Sequence, residues 1–357
     1  EANSIANDII KLIDINTGEN VNYRETTTWH DGSLMDDSKV DGFIYKKING
    51  DFFKRTSVDG ISLLDFGAKG NGVDDDSNAI ISASNYVKVT GDMLNVPDGY
   101  VFNLNNQTID FTRVHINFKG GVLKNGKLTG YHTKITAGQV QIFDDIELLG
   151  TYYHSATGAA YLQWFGLKEN DSNFDISDYY PLLAGKFKVI DLGEGLYFSE
   201  KGEIQVVGVL RGSSEHAVTI EYRPSKNNTY LFSIGKYNGT ISERDYYRPS
   251  IENLSIYPIS NTRRTGISVI VVGACSKSRI TNVKVLNNTP EFMFTEQDLN
   301  DFVLTRNPAK ANIGLEFKGD SELVSISNFT AYTDIPVKIV GHNDPTAFID
   351  FLQFNDC

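Results

Sequence analysis

The sequence predicts a mainly β chain whose second half is a stack of short coils, a solenoid. From about Gly202 to the end, helical periodicity of useful length is missing, apart from an ambiguous stretch near Glu291 to Asp301. The region reads instead as short alternating runs divided by Asn, Gly, Asp and Ser. They are Ser250–Ile259, Gly266–Val272, Ser278–Asn288, Ile313–Gly319, Leu323–Tyr332 and Ala347–Cys357. A pattern also recurs within these runs: Ile251-Glu252-Asn253-Leu254, Ile280-Thr281-Asn282-Val283 and Ile326-Ser327-Asn328-Phe329. In stacked coils it supplies an inward aliphatic, a bend whose Asn bonds backbone groups, and a second inward residue. The spacings of 29 and 46 residues suit one or two coils.

Composition narrows the function classes. Of 357 residues, 40% are hydrophobic and 11% aromatic, too many for a disordered chain. The longest apolar run, Ile267 to Cys275, is far short of the roughly 20 residues of a membrane helix. A formal charge of −12 argues against nucleic acid as partner, because phosphate contacts need a basic patch. Two cysteines, Cys275 and Cys357, give no disulfide framework. Scattered His residues and no Cys pair make a structural zinc site unexpected, and neither metal nor cofactor is expected elsewhere.

In chain order, residues 1–57 are expected to form a small module. Ile5, Ile9, Leu12 and Ile13 have helical spacing, with Asn3 or Ser4 as cap. A hairpin is expected around Asn49-Gly50, the favoured type I′ turn, between Phe43–Tyr45 and Asp51–Phe53. Residues 58–160 begin with a strand, a Gly-rich loop and a helix capped by Asp76 or Ser77, whose apolar side is Ile80, Ile81, Ala83 and Val87. The acidic run Asp74–Asp76 lacks the alternation of a calcium loop and reads as helix capping. Gly67–Gly72 lacks the Gly-Lys-Ser/Thr ending of a phosphate loop and reads as a tight turn. Short strands are expected at Met93–Val96, Val101–Leu104, Val114–Phe118 and Val122–Leu123, with a turn at Pro97-Asp98-Gly99. Residues 161–201 read as a second, degenerate copy of this start. Phe165-Gly166 and Lys168 match Phe66-Gly67 and Lys69, and Val189–Phe198 matches Leu94–Phe102. Residues 202–357 are the coils. Both ends read as cuts in a longer chain, so coils and part of an active groove are expected beyond Cys357. The Asn-x-Ser/Thr sequons read as turn residues.

The stretch from Ile61 to Ile80, with Asp65-Phe66-Gly67-Ala68, Gly70-Asn71-Gly72 and Asp75-Asp76-Ser77 before a helix, resembles the opening motif of pectate-lyase-like right-handed parallel β-helices. Asn71 stands where that motif has Asp, and Ser77 where it has Thr. The preceding Thr26–Arg55 resembles the neck or attachment module of bacteriophage tailspikes. The resemblance covers most of the chain. It implies a homotrimeric tailspike, made in the host cytoplasm and carried in the phage tail. Such a spike binds and depolymerises a bacterial capsule, exopolysaccharide or O-antigen during adsorption. Its N-terminal module joins the tail, the baseplate or another tailspike, and no membrane insertion is implied. Hydrolysis is favoured, with a polysaccharide lyase as the other enzyme class. A non-catalytic receptor-binding or structural adaptor is the competing reading, and a bacterial or plant-type pectinase a third.

Glycoside hydrolysis needs two carboxyl groups, whereas a lyase needs a base and a cation near a uronate. Strand alternation with inward Leu315, Phe317, Ile349 and Phe351 directs Glu316, Lys318 and Asp350 outward, and Asp334 lies at a bend between them. Glu316, Asp334 and Asp350 are therefore the candidate catalytic carboxylates, against the plain alternative of a solvated charged face. Tyr246, Tyr247, Arg248, Arg263 and Arg264 are candidate sugar contacts, because aromatics stack on rings and guanidinium groups pair with acids. They suit a trimer interface equally well.

Overall fold

The structure is a computed structural model that describes residues 9–14, 18, 20–56, 60–154, 158–237, 248–258, 266–286, 313–318, 321–333, 335–339, 349–355 and 357. Two units, residues 1–157 and 158–357, each have their own core.

Residues 9–13, where apolar spacing predicts a helix, form a strand instead. β1 (Ile9–Ile13), β2 (Asn20–Glu25), β3 (Tyr45–Ile48) and β4 (Asp51–Arg55) make an antiparallel sheet in the order β1-β2-β4-β3. The spacing of Ile9 and Ile13 suits both periods. Pairing with β2 decides for the strand, since Ile10 and Leu12 then pack on Val21, Tyr23 and Phe53 while Ile9 and Ile13 face out. The predicted hairpin is present: Ile48 pairs with Asp51, and Asn49 and Gly50 have φ of 55° and 104°.

The second sheet of this unit is parallel. It takes β5 (Ile61–Ser62), β6 (Asn71–Asp75), the helix α1 (Ser77–Thr90), β7 (Met93–Val96), β8 (Val101–Asn103), β9 (Thr108–Asp110), β10 (His115–Phe118), β11 (Val122–Thr136) and β12 (Phe143–His154). β8, β9 and β10 pair with successive segments of β11, which runs beside β12. Buried side chains stack in columns: Phe102 on Leu123 on Phe143, and Ile109 on Leu128 on Leu148. Burying each such residue is worth about 1.5–3 kcal/mol, which makes these columns the core.

The second unit contains β13 (Ala160–Tyr161), the helix α2 (Ile176–Leu183), β14 (Val189–Leu192), β15 (Gly195–Ser199), β16 (Ile204–Val206), β17 (Val209–Gly212), β18 (Val218–Tyr222), β19 (Tyr230–Ile234), β20 (Ser250–Pro258), β21 (Ser268–Val272), β22 (Cys275–Ser276), β23 (Arg279–Leu286), β24 (Ile313–Phe317), β25 (Ser321–Tyr332), β26 (Ile335–Ile339) and β27 (Ile349–Asn355). Its ladders between named strands are all parallel. One inward column runs Ala160, Ile190, Leu210, Ile251, Ile280, Ile326. Another runs Ile204, Phe232, Ile270, Leu315 along the five-stranded sheet β16-β19-β21-β24-β26.

The recurrent asparagines share one edge of this stack. Asn253, Asn282 and Asn328 have φ of 58°, 53° and 50°. Their amides bond each other rather than the backbone: Asn282 Nδ2 donates to Asn253 Oδ1 and Asn328 Nδ2 to Asn282 Oδ1, each at 2.8 Å. Nine of the sixteen described non-glycine residues with positive φ are asparagine, the side chain that best tolerates the left-handed region.

The parallel sheet of the first unit and the second unit open with the same elements: a two-residue strand, a 3₁₀ turn (Leu63–Phe66 and Leu162–Phe165) closed by a left-handed glycine (Gly67, Gly166), and an α-helix, with β6 preceding the helix in the first. The carboxylates before the two helices act differently. Asp175 caps α2 through Ser177 N at 2.8 Å. Asp76 makes no side-chain cap bond and instead accepts from Lys69 N and Asn103 N, at 2.6 and 3.2 Å, tying the Gly-rich loop to β8. Asp75 accepts from Ser77 N in its place. Asp76 is thus the N-cap residue of the first helix, as the sequence predicts, but the side chain that bonds the first helical N–H is that of Asp75.

Among the described residues, no helix is long and apolar enough to cross a membrane.

Candidate functional site

β24 carries Glu316 between Leu315 and Phe317, which are fully buried in the core. Alternation directs Glu316 away from them, as the sequence predicts. The carboxylate is nevertheless only 3% exposed. Burying a charge is costly unless it is paired and hydrogen-bonded, and Glu316 is both. Ser268 Oγ donates to Oε2 at 2.6 Å, and Lys338 Nζ donates to Oε1 at 3.1 Å. Lys338 lies directly opposite on β26, one strand spacing away. Lys318 Nζ stands 4.0 Å from Oε2.

These groups line a cavity of about 140 Å³ on the outer side of the five-stranded sheet. Its opposite wall is aromatic: Tyr230 and Tyr237 stack with ring centroids 4.7 Å apart and planes at 25°. Lys318 joins the two walls, donating to Tyr237 Oη at 2.8 Å with its ammonium 5.1 Å from the ring centroid. Gly266 closes one side. Its φ is +68°, and a Cβ there would lie 2.1 Å from Asn228 Oδ1, so a larger residue would collide with the wall.

Electrostatics keep Lys318 charged and Tyr230 neutral. Burial pulls the Lys318 ammonium down, but the Tyr237 hydroxyl and the Glu316 carboxylate outweigh it, and its pKa stands above the usual lysine value. Burial, with Glu203 and Tyr237 nearby, pushes the Tyr230 phenol up to about 12. At neutral pH the cavity therefore presents a lysine ammonium and a neutral phenol.

Of the predicted carboxylates, Glu316 lies in the cavity. Asp334 lies outside the described residues. Asp350 is on β27, paired with Glu322 of β25, and so belongs to a different sheet from Glu316. Of the predicted sugar contacts, Arg248 is an exposed residue with φ of 53° just before β20, and it does not line the cavity. Tyr246, Tyr247, Arg263 and Arg264 lie outside the described residues, as does the ambiguous stretch Glu291–Asp301. Tyr230, Tyr237, Ser268 and Lys338 escape sequence reasoning. Tyr230 and Ser268 have the parity of the inward Phe232 and Ile270, so alternation assigns them to the wrong side.

Chemically, the arrangement offers one carboxylate, two ammonium groups, a hydroxyl and a stacked aromatic pair. Glu316 is the one carboxylate among the described lining residues, whereas two-carboxylate hydrolysis requires a partner. Two larger cavities, of about 440 Å³ each, occur in the first unit, one around Arg55 and one around Trp29 and Phe66. Neither sets a buried carboxylate against free aromatic faces. Among the described residues, no cluster of His, Cys, Asp and Glu could hold a metal ion.

Neither the protein-family models nor the curated proteins compared with this chain match it.

Proposed function

We propose that this chain is part of a bacteriophage tailspike that recognises a bacterial surface polysaccharide, and that the Glu316 cavity is a point of recognition. The observation that carries the reading is the pairing of the stacked Tyr230–Tyr237 wall with the buried Glu316 and its lysines on a rigid parallel stack. Flat aromatic faces suit sugar rings, and a few fixed polar groups orient them. In this reading the stacked coils are a right-handed parallel β-helix, the spike is a homotrimer of the virion, and the antiparallel N-terminal sheet belongs to the module that joins it to the tail.

Depolymerisation is part of the proposal, with hydrolysis favoured over elimination. A second reading, a non-catalytic receptor-binding or adaptor role, is favoured by one observation: the cavity's described residues supply a single carboxylate. Incubation of the protein with capsule, exopolysaccharide or O-antigen from a panel of bacteria separates them. Retention on one polysaccharide with release of oligosaccharides is the expected result. Retention without release leaves the adaptor reading, and no retention on any of them overturns both. The trimer is tested by light scattering, where a mass of about 40 kDa at micromolar concentration would refute it.

A further inference from the structure

We propose that the Glu316 cavity takes a sugar bearing a carboxylate, a uronic acid or its like, with the acid group on the lysine side and the ring on the tyrosine side; this rests on the carbohydrate reading above. The chain as a whole carries −12 and repels polyanions, so a local positive excess needs a reason. Among the described lining residues the charged groups are Glu316, Lys318 and Lys338, one negative and two positive. Glu203 approaches the rim through Thr229 at 3.2 Å but is matched by Lys226 at 2.6 Å. One positive charge remains.

Its placement favours an incoming anion. The Glu316 side chain is 4% exposed, whereas those of Lys318 and Lys338 are 36% and 42% exposed. A ligand entering from solvent meets ammonium groups before it meets the carboxylate. Each ammonium has three donors, and the contacts above use one on Tyr237 for Lys318 and one on Glu316 for Lys338. Lysines present point charges rather than a planar fork, so a single carboxylate is a sufficient partner. Lys318 lies beside the Tyr237 ring, which sets the charge next to the stacking face. A uronate has the same adjacency, its carboxylate being carried by the ring. The volume is below the roughly 300–1,000 Å³ of sites for larger ligands, which fits one sugar unit of a chain.

The test is a calorimetric titration of the intact protein at low salt with sodium glucuronate, neutral glucuronamide and inorganic phosphate. Glucuronate is expected to bind about five-fold more tightly than glucuronamide, the scale of a half-exposed charge pair. Lys338→Gln is expected to remove that preference. Lys318→Gln, which leaves the Glu316–Lys338 pair intact, is expected to reduce it. Equal affinity for the two sugars would overturn the acidic-sugar inference while leaving the carbohydrate reading standing. Binding of neither sugar would defeat both. Phosphate bound as tightly as glucuronate would reduce the cavity to an anion site and overturn the role of the tyrosines.

Discussion

Two buried carboxylates, one in each unit, use the same chemistry for different ends. In the first unit, Asp65 closes the 3₁₀ turn by accepting from Ser62 N at 2.8 Å and pairs with Arg55, which also holds Asp14. All three side chains are at most 10% exposed. In the second unit, Glu316 is just as deeply buried, yet its two lysines remain more than a third exposed beside a cavity. A cluster whose three side chains are at most 10% exposed presents little charge to a ligand, even though Arg55 borders a cavity. A cluster that buries the acid and leaves the cations reachable keeps unused donors for a ligand. Burial of the acid alone does not separate the two; the exposure of its partners does.

The largest expected effect is on the closed cluster. Arg55→Met takes the guanidinium away from two buried carboxylates, and the first unit is expected to lose about 3–5 kcal/mol in denaturant unfolding, with polysaccharide retention unchanged where the protein stays folded. Glu316→Ala comes next. It leaves Ser268 and Lys338 without their acceptor, costs about 2–3 kcal/mol, and abolishes retention. Equal loss of retention in both variants would break the comparison.

A third variant separates the stack from the cavity. Asn282→Ala removes two amide bonds and forces alanine into a left-handed backbone, for about 2 kcal/mol. Asn282→Gly, which accepts that backbone, is expected to cost about 1 kcal/mol. Both are read by urea unfolding, and both are expected to keep the cavity functional.

The smallest effect is one of pH. Burial foremost, opposed by the Ser62 N–H and Arg55, holds the Asp65 carboxyl above its ordinary 3.8. A raised folded value means that the folded state binds the proton more tightly. Its contribution to stability is therefore fully present below pH 3.8 and is lost as pH rises through the folded value. The unfolding free energy of wild type is expected to fall relative to that of Asp65→Asn as pH rises through that window and to run parallel to it outside, and a difference constant with pH would refute the assignment.

Much of the second unit's strand pattern was legible because the inward residues are aliphatic and the bends are marked by asparagine. The runs read at Ser250–Ile259, Gly266–Val272 and Ile313–Gly319 match β20, β21 and β24 to within a few residues. The N-terminal strand is ambiguous in sequence because Ile9 and Ile13 fit two periods, and pairing with β2, which sequence cannot show, chooses between them. The apolar pattern marks only two residues of β11, which has fifteen, since polar Lys124, Asn125 and Lys127 sit among its few inward residues. In the site, Glu316 and Lys318 were legible by alternation from Leu315 and Phe317. Lys338 was not, because only strand register brings β26 beside β24. Tyr237 follows β19 outside any strand period, so its stacking on Tyr230 had no sequence signal.

The proposal that the open Glu316 cluster recognises polysaccharide is tested by the binding isotherm of Tyr237→Ala on the polysaccharide that retains the wild-type protein, with thermal unfolding measured alongside. Tyr237 is half-buried and contributes one face of the stack and the acceptor for Lys318. At least a ten-fold loss of affinity, about 1.4 kcal/mol, is expected, with the unfolding temperature nearly unchanged. Wild-type affinity in a folded Tyr237→Ala protein would contradict it.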